Sequence, residues 1–255
     1  DYYVIKIASG FYGNPELGLS SSDGMMLLFS QQTGELLCQL LDQGYLTDIR
    51  TAIAGAICAK YLAPRVVTAI GIIGTGIQAK LQAIYLKEIL DCRQVVVWGR
   101  CRTKLAQYQN DMARHGFSVT LADSLEELAK LANLIVTTTP ATSPMLKAEH
   151  IKPGTHITAM GSDTREKQEL DAKILAKADL LVADSIEQCQ QRGEIFHALT
   201  SGIIAQGDVL ELGDVIAHGA GRSNDNQITV ADLTGVAVQD IKIAEAVYRA
   251  HGRGQ

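Results

Sequence analysis

The sequence predicts an α/β protein with a doubly wound parallel sheet and a smaller, N-terminally incomplete α+β domain. Apolar strand-like segments alternate with helix-like segments from about residue 66, which is typical of parallel strands covered by helices on both faces. Before residue 41, strand-like segments follow one another with no helix between them, which favours an antiparallel sheet. Pro64 closes the helix that follows, and the pattern changes there.

The N-terminal elements are indicated by alternation, Gly and Pro turn signals and an apolar helix face. Thr33-Gly34 joins two apolar segments and predicts a hairpin. In order we expect a strand at 3–9, a loop at 10–18, hairpin strands at 25–29 and 36–40, and a helix at 47–62.

The later elements are strands and helices in turn. A capping box, Ser124-x-x-Glu127, opens one short helix, and two other helices end near residues 90 and 115. A Gly-rich and polar loop occupies 219–226, and a last helix covers about 235–250. Strands are expected at 66–73, 94–98, 117–121, 134–136, 156–160, 180–183 and 227–230. We therefore divide the chain into one domain of residues 1–64 with 236–255 and another of residues 65–235.

Composition excludes several classes of protein. The chain has 255 residues, 47% of them hydrophobic and 20% charged, with a formal net charge of −5. An acidic protein lacks the positive charge that nucleic acids and anionic membranes attract, so neither is expected as a partner. No apolar run reaches the ~20 residues that span a bilayer.

The cysteines and the N-terminus bear on location and completeness. Five cysteines are far apart, without CxxC or zinc-type spacing, so we expect reduced thiols in the cytoplasm and no metal site. The chain opens on Asp1 without Met or signal peptide. We expect it to be the remainder of a longer polypeptide.

A glycine-rich turn joins the first strand of the larger domain to a helix. Gly74 permits a tight turn, Gly76 leaves room for a pyrophosphate, and Ala79 allows close packing of helix and strand. The strand before and the helix after the turn make this pattern more specific than a lone glycine loop. It predicts a dinucleotide-binding Rossmann domain, with cofactor contacts from Gly74, Thr75, Gly76, Ile77 and Gln78.

The end of the next strand bears on the choice of cofactor. An acid here would accept a hydrogen bond from the ribose 2′-hydroxyl and repel a 2′-phosphate. The chain instead has Gly99, followed by Arg100 and Arg102. Two guanidinium groups suit a phosphomonoester, so we expect NADP(H), with NAD(H) as the alternative. A solvated basic turn at a helix start is the other interpretation.

Two further loops follow strand ends, where open parallel sheets bind ligands. Thr138 and Thr139 are expected beside the cofactor or merely in a loop. Met160 and Gly161 lead to Asp163, a catalytic candidate that the small residues before it would let reach a nicotinamide-side pocket. From position alone a helix N-cap is the favoured role for Asp163, because Lys167 and Glu169 fit a polar helix start.

Two cations lie outside the larger domain. Lys6 shares a strand face with Val4, and Arg50 lies within the expected first helix. Taken alone, either is an ordinary surface residue.

Several separated segments, in one order, resemble the ornithine cyclodeaminase and mu-crystallin family over essentially the whole chain. Their order is more specific than any one glycine-rich loop. They are Ile5-Lys6-Ile7, Asn14-Pro15, Gly18-Leu19, Leu46-Thr47-x-x-Arg50-Thr51-Ala52, Gly74-x-Gly76-x-Gln78-Ala79, Gly161-Ser162-Asp163, and Gly221-Arg222-Ser223 through Thr229-Val230-x-Asp232-x-x-Gly235.

The resemblance implies roles for the candidate residues. Lys6 and Arg50 would hold a substrate carboxylate, and Asp163 would take part in proton handling at the reacting carbon. The segment from Asp232 to Gly235, which includes Thr234, would lie against the nicotinamide. Lys6 and Asp163 are thus the expected catalytic residues.

The resemblance also implies architecture. Family members pair their substrate domains as dimers through a shared β-structure, so a homodimer with a small amino- or imino-acid substrate is expected. Family chains also carry several tens of residues ahead of Asp1, with a further substrate-binding Arg and, in the cyclodeaminases, a catalytic acid. Neither residue is in this sequence.

The reaction implied by the resemblance passes through a Cα imine. Family cyclodeaminases have an acid where this chain has Gly99 and use NAD. The departure favours an NADPH-dependent reductase of a cyclic ketimine, pyrroline- or piperideine-2-carboxylate. Ornithine cyclodeamination to proline and ammonia, or non-enzymatic binding of a small ligand with NADPH, are the alternatives.

Overall fold

The chain forms two compact units. The computed structural model describes residues 2–11, 13–20 and 22–252. The first residue and the last three residues of the smaller expected domain therefore lie outside the described residues. The units are residues 1–51 with 236–255, and residues 52–235. The first boundary lies inside a helix rather than after Pro64, because Cys58 and Leu62 pack in the larger unit, against Val182. Substrate binding and dimerisation by the smaller unit, and dinucleotide binding by the larger unit, stay predictions.

Helices and strands are numbered in chain order. The strands are β1 (Tyr2–Gly10), β2 (Ser22–Ser30), β3 (Leu36–Leu40), β4 (Ile70–Ile73), β5 (Gln94–Trp98), β6 (Ser118–Leu121), β7 (Leu134–Thr137), β8 (Thr142–Leu146), β9 (His156–Ala159), β10 (Gln168–Leu170), β11 (Leu180–Ala183), β12 (Val209–Glu211) and β13 (Thr229–Asp232). The helices are α1 (Tyr45–Leu62), α2 (Ile77–Leu86), α3 (Arg102–Arg114), α4 (Leu125–Leu131), α5 (Ala172–Lys177), α6 (Ile186–Cys189), α7 (Glu194–Thr200), α8 (Leu212–His218) and α9 (Ala237–Gly252).

The smaller unit is built on an antiparallel sheet of order β1-β2-β3. The expected strand and hairpin are confirmed by the antiparallel register of both pairs. Side chains alternate between the two sheet faces. On one face, Met26 and Leu28 are buried with Leu46 of α1 and Ala244 of α9. The last helix therefore covers one side of this sheet.

The larger unit contains a parallel sheet of order β12-β11-β13-β9-β7-β4-β5-β6, which confirms the doubly wound arrangement. The sequence pattern missed β12, the two-stranded sheet of β8 and β10, and the short helices between residues 172 and 218. The expected strand at 66–73 begins only at Ile70, because the amide of Asn133 binds the backbone at Val66 and Thr68 instead. The strand expected at 227–230 is Thr229–Asp232.

Helices cover both faces of this sheet. Ile70 and Ile72 are buried in one apolar cluster with Leu105 of α3, whereas Ile73 belongs to the cluster on the opposite face. Gly71 lets α4 approach closely, since a Cβ there would lie 2.7 Å from Cδ2 of Leu128. The sheet is thus buried on both sides, as parallel sheets require. Among the described helices, none has the length and apolar character to cross a membrane.

Two ionisable groups are buried in this sheet. The imidazole of His156 lies between the hydroxyls of Thr229 and Thr158, at 2.8 and 2.9 Å, and burial lowers its pKa to about 3. Burial raises the pKa of Asp232 to about 8, and the nearby Asp184 acts in the same direction. Asp232 accepts a 2.8 Å hydrogen bond from the backbone of Ile195. At neutral pH both groups are therefore uncharged.

Asp232 makes the stability of the larger unit depend on pH. Its folded pKa exceeds its unfolded value, so its contribution is complete below the unfolded pKa of 3.8 and is lost as pH rises through about 8. Between about pH 5 and about pH 7, Asp232→Asn should gain up to about 1.4 kcal/mol per pH unit relative to the wild type. Urea unfolding followed by the emission of Trp98, the single tryptophan, measures this difference.

The exposed Asp91 gives the matched control. Asp91→Asn makes the same chemical change at the surface and should show a constant difference from the wild type across this pH range. A constant difference for Asp232→Asn as well would contradict the buried, protonated state.

Candidate functional site

Five neighbouring strands of the large sheet end at the same level. Ile73 is paired with Trp98 on one side and Thr137 on the other. Thr137 is paired with Ala159, and Ala159 with Asp232. The loops that carry the expected cofactor residues all begin directly after these positions. The structure therefore brings them together at one edge of the sheet, where open parallel sheets bind ligands.

The glycine turn has the geometry that a pyrophosphate needs. Gly74 has φ of +124°, and a Cβ there would lie 2.5 Å from Oγ1 of Thr138. A Cβ on Gly76 would meet nothing within 4 Å, so this side of the turn is open. The helix begins at Ile77, and Gly76 offers no side chain to cap it. Backbone N–H groups at a helix N-terminus bind phosphate oxygens, so this turn fits a dinucleotide.

The remaining residues of this turn are tightly placed. Gln78 accepts a hydrogen bond from Gln82, one helical turn along. A Cβ on Gly99 would lie 2.9 Å from Cγ2 of Thr75, so the end of β5 packs against the turn. An acidic side chain at position 99 would have to displace Thr75. The packing thus agrees with the lack of an acid that the sequence shows.

The two arginines after β5 differ in their surroundings. Arg100 is exposed. Arg102 is the first residue of α3, and its guanidinium is 2.6 Å from Asp123, with both side chains mostly exposed. An exposed ion pair of this kind contributes little to stability. Either arginine is therefore free to exchange its present surroundings for a phosphate at small cost.

The loops after β7 and β9 are joined by a buried acid that the sequence analysis assigned to a helix start. Glu169 accepts hydrogen bonds from the backbone and hydroxyl of Thr139 at 2.6 and 2.7 Å. It also accepts from the backbone of Gly161 at 2.8 Å, and Met160 donates its own N–H to Thr137. The expected cofactor residues of these loops thus have their backbones held from behind.

Asp163 is not a helix N-cap. No helix begins directly after Asp163, because the next element of the described chain is β10, which contains Glu169. The carboxylate of Asp163 is 2.6 Å from Nζ of Lys167, and about half of its side chain is exposed. The N-cap interpretation is therefore wrong. A half-exposed acid beside the carboxyl ends of β7 and β9 is consistent with a catalytic role, which stays a prediction.

Thr234 uses its side chain within the protein. Its hydroxyl donates to Asp184 at 3.2 Å and accepts from the amide of Gln188 at 2.6 Å. Asp184 also accepts from the backbone of Gly235 at 2.7 Å. The hydroxyl is thus occupied, so a contact of Thr234 with a cofactor falls to its backbone. Asp184 and Gln188 were missed because nothing in the local sequence marks them.

In the smaller unit, Lys6 and Arg50 share one carboxylate. Oδ1 of Asp240 is 2.9 Å from Nζ of Lys6 and 3.0 Å from Nε of Arg50. All three side chains are less than one-fifth exposed, and Gln239 accepts from Arg50 at 2.8 Å. The interpretation of Lys6 and Arg50 as ordinary surface residues is therefore wrong. Asp240 was missed because it lies 234 residues from Lys6 in sequence.

Burial and pairing have opposite effects on the pKa of Lys6. Burial lowers the pKa of Lys6 from its usual value, the nearby Arg50 acts in the same direction, and the hydrogen bond to Asp240 opposes both. Two cations within reach of one carboxylate oxygen form a site with the right chemistry for a carboxylate. The group shows that such an oxygen fits between them.

The sheet, its open glycine turn and the loops at its carboxyl edge define a dinucleotide-binding domain of the Rossmann type. The chain belongs to the ornithine cyclodeaminase/mu-crystallin family, whose model matches residues 1–254. The resemblance noted from the sequence is therefore confirmed, and with it an enzyme that uses a nicotinamide cofactor.

Three similar proteins illustrate the family. The uncharacterized cyclodeaminase y4tK of Sinorhizobium fredii is 44% identical over 250 residues, 97% of this chain and 76% of that protein. An archaeal alanine dehydrogenase, solved as a dimer with bound NAD, matches with a TM-score of 0.92 and 37% identity, over 100% of this chain and 79% of that one. The Δ1-pyrroline-2-carboxylate reductase of Thermococcus litoralis, solved with NADH and L-proline, has a TM-score of 0.91 and 29% identity, over 98% and 79%.

The preference for NADP(H) over NAD(H) stays a prediction, since the two solved relatives hold NAD and NADH. Arg100→Ala should weaken NADPH binding about tenfold, because one charge-assisted contact to the 2′-phosphate is lost, and should leave NADH binding unchanged. Fluorescence titration with each cofactor measures both dissociation constants.

Arg114→Ala is the control for net charge, because Arg114 lies at the opposite end of α3 and pairs with Asp111. It should alter neither constant. Equal wild-type affinities for NADPH and NADH would overturn the preference.

Proposed function

We propose that this chain reduces a cyclic ketimine, pyrroline-2-carboxylate or piperideine-2-carboxylate, with NADPH. The observation that carries the proposal is the pairing of Lys6 and Arg50 on a single carboxylate oxygen of Asp240. A small imino acid offers the same group. In the proposed complex, Lys6 and Arg50 bind the substrate carboxylate through charge-assisted hydrogen bonds.

Asp163 is proposed to act at the imine nitrogen. Its carboxylate stabilises the positive charge of a protonated imine and takes part in moving the nitrogen proton. The nicotinamide cofactor supplies the hydride that reduces the substrate Cα. Lys167 pairs with Asp163 and keeps this carboxylate oriented. The protein's own contribution is thus binding, orientation and charge.

Cyclodeamination of ornithine is the second candidate. The 44% identity to a protein named as a cyclodeaminase favours it. Gly99 argues against it, because the resemblance on which we rely associates an acid at this position with NAD-dependent cyclodeaminases. The two reactions differ in stoichiometry. Reduction consumes one NADPH per substrate, whereas cyclodeamination releases ammonia with no net change in the cofactor.

The reductase proposal is tested with both substrates. With pyrroline-2-carboxylate, NADPH absorbance should fall in proportion to the proline formed, and ornithine should release no ammonia. Ammonia from ornithine, without consumption of pyrroline-2-carboxylate, would establish the second candidate instead.

Asp163→Asn tests the role of the acid. Loss of a charged group at the reacting nitrogen should lower kcat by about 100-fold or more, within the usual range for an acid-base residue. The dissociation constant of NADPH, measured on the same preparation, should be unchanged and serves as the control for folding. Unaltered turnover would remove Asp163 from the mechanism.

The second sheet face of the smaller unit supports a homodimer. We define the outer face as Tyr3, Ile5, Ile7, Met25, Leu27 and Phe29, which are paired across β1 and β2. Tyr3 and Phe29 stack at 4.9 Å, and Ile5 and Ile7 are about half exposed. A contiguous apolar sheet face of this kind is typical of an interaction surface. Since an archaeal relative is a dimer, we propose that a second copy covers this face.

Ile5→Glu should therefore convert the dimer into a monomer, because it places a charge within the proposed interface. Light scattering over a range of protein concentrations measures the mass. Gln31→Glu, which adds the same charge at the exposed turn between β2 and β3, is the matched control and should stay dimeric. A dimeric Ile5→Glu variant would move the interface elsewhere.

All five cysteines are free thiols. Reduced cysteines are expected from the sequence and are typical of the cytoplasm. We therefore propose a cytoplasmic location.

A further inference from the structure

Glu169 is a buried acid with no role in the mechanism described above. Its exposed fraction is 0%. Its carboxylate accepts four hydrogen bonds, and all four come from the carboxyl ends of the neighbouring strands β7 and β9 and the loops that follow them. The donors are the hydroxyl of Thr137 at 2.6 Å, the backbone and hydroxyl of Thr139 at 2.6 and 2.7 Å, and the backbone of Gly161 at 2.8 Å.

The first of these loops also contacts the glycine turn. Thr138 donates both its backbone N–H and its hydroxyl to the carbonyl of Ile73, at 2.9 and 3.1 Å. The same hydroxyl occupies the space that a Cβ on Gly74 would need. The pyrophosphate turn and the loop after β7 therefore form one packed and hydrogen-bonded assembly.

The second loop leads to the catalytic candidate. Gly161 is two residues before Asp163, and its N–H donates to the same carboxylate oxygen that accepts from Thr137. A Cβ on Gly161 would lie 2.5 Å from that oxygen and 2.2 Å from the carbonyl oxygen of Thr139. The loop therefore packs directly on Glu169. One carboxylate connects the pyrophosphate turn, through Thr139, to the loop of Asp163.

The chemistry of the group requires a carboxylate. All four partners donate, and an ionised carboxylate is the side chain that only accepts. Burial raises the pKa of Glu169 and the four hydrogen bonds oppose this rise. A glutamine would point its amide N–H₂ at one backbone N–H, that of Thr139 or that of Gly161, depending on which oxygen it replaces. The backbone of Glu169 is itself held, since its N–H donates to Glu194 at 2.7 Å.

Burial of a carboxylate is expensive, and an apolar contact would hold two loops together at lower cost. What four directed hydrogen bonds add is a fixed geometry. Displacing a reacting group by about 1 Å can lower a rate by about 100-fold. An acid that sets the distance between the cofactor turn and Asp163 would therefore act on the rate of the reaction.

We propose that Glu169 is a positioning residue that holds the Asp163 loop in register with the pyrophosphate turn and so sets the rate of hydride transfer. This inference rests on the proposed function through the role of Asp163. In this role Glu169 contacts neither substrate nor cofactor and acts through the backbone N–H groups that it binds.

Glu169→Gln tests the inference, with Glu166→Gln as the matched control in an exposed part of the same segment. With pyrroline-2-carboxylate and NADPH, Glu169→Gln should lower kcat by about 10- to 100-fold. Its NADPH dissociation constant should stay within about threefold of the wild type, less than 1 kcal/mol. Glu166→Gln should change neither. A lower NADPH affinity that accounts for the loss of rate would overturn the inference.

A double variant separates a positioning role from general damage. If Glu169 acts through Asp163, adding Glu169→Gln to Asp163→Asn should lower kcat no further. A full additional loss in the double variant would overturn the inference and leave the role of Asp163 intact. Unchanged turnover in Asp163→Asn alone would instead contradict the proposed function.

Hydrogen exchange gives a readout that needs no turnover. In the NADPH-bound protein, Glu169→Gln should raise amide exchange in residues 161–167, and Glu166→Gln should not. Thr137→Val, which removes one donor and keeps the carboxylate, should raise it less and remains usable if Glu169→Gln does not fold. Wild-type exchange in this segment for Thr137→Val and Glu169→Gln would overturn the inference even if no substrate were turned over.

Discussion

The parallel register of five neighbouring strands is the constraint on which the candidate cofactor site depends. Trp98, Ile73, Thr137, Ala159 and Asp232 are paired in a row across the sheet. A slip of one residue in any of these ladders would turn every side chain of that strand to the other face. Both faces of this sheet are packed. The loops after these residues therefore start from fixed positions, and the open turn at Gly76 is where a ligand can enter.

Behind this row the backbone is held by buried carboxylates. Glu169 accepts from Thr139 and Gly161, Glu194 accepts from the N–H of Glu169 and Leu170, and Asp184 accepts from Gly235. Backbone N–H groups that loops leave unpaired need acceptors when buried. The buried acids supply these acceptors. The N-terminus of α2 has no side-chain cap, so its N–H groups are available to an anion. Burial within this arrangement raises the pKa of Glu194.

The sequence was sufficient for features that depend on neighbouring residues. Alternation predicted β1 and the hairpin, and the glycine turn was predicted because strand, glycines and helix are contiguous. Glu169 and Asp240 were missed because their partners lie far away in sequence: Thr139 is 30 residues before Glu169, and Lys6 is 234 residues before Asp240. A local pattern assigns such acids to solvent or to a helix end. Only the fold shows that Glu169 faces four donors.

Asp240 also constrains how the smaller unit can select a ligand. Without it, Lys6 and Arg50 would repel each other in a partly buried site, so the acid keeps them together before any ligand arrives. A substrate carboxylate must then join or replace one that is already bound. Its net gain is the difference between two similar interactions, not the full attraction of two cations. Discrimination among carboxylates must therefore come from other groups of the substrate. The imine nitrogen, which is proposed to meet Asp163, is positively charged when protonated, and this charge distinguishes an imino acid from other carboxylates.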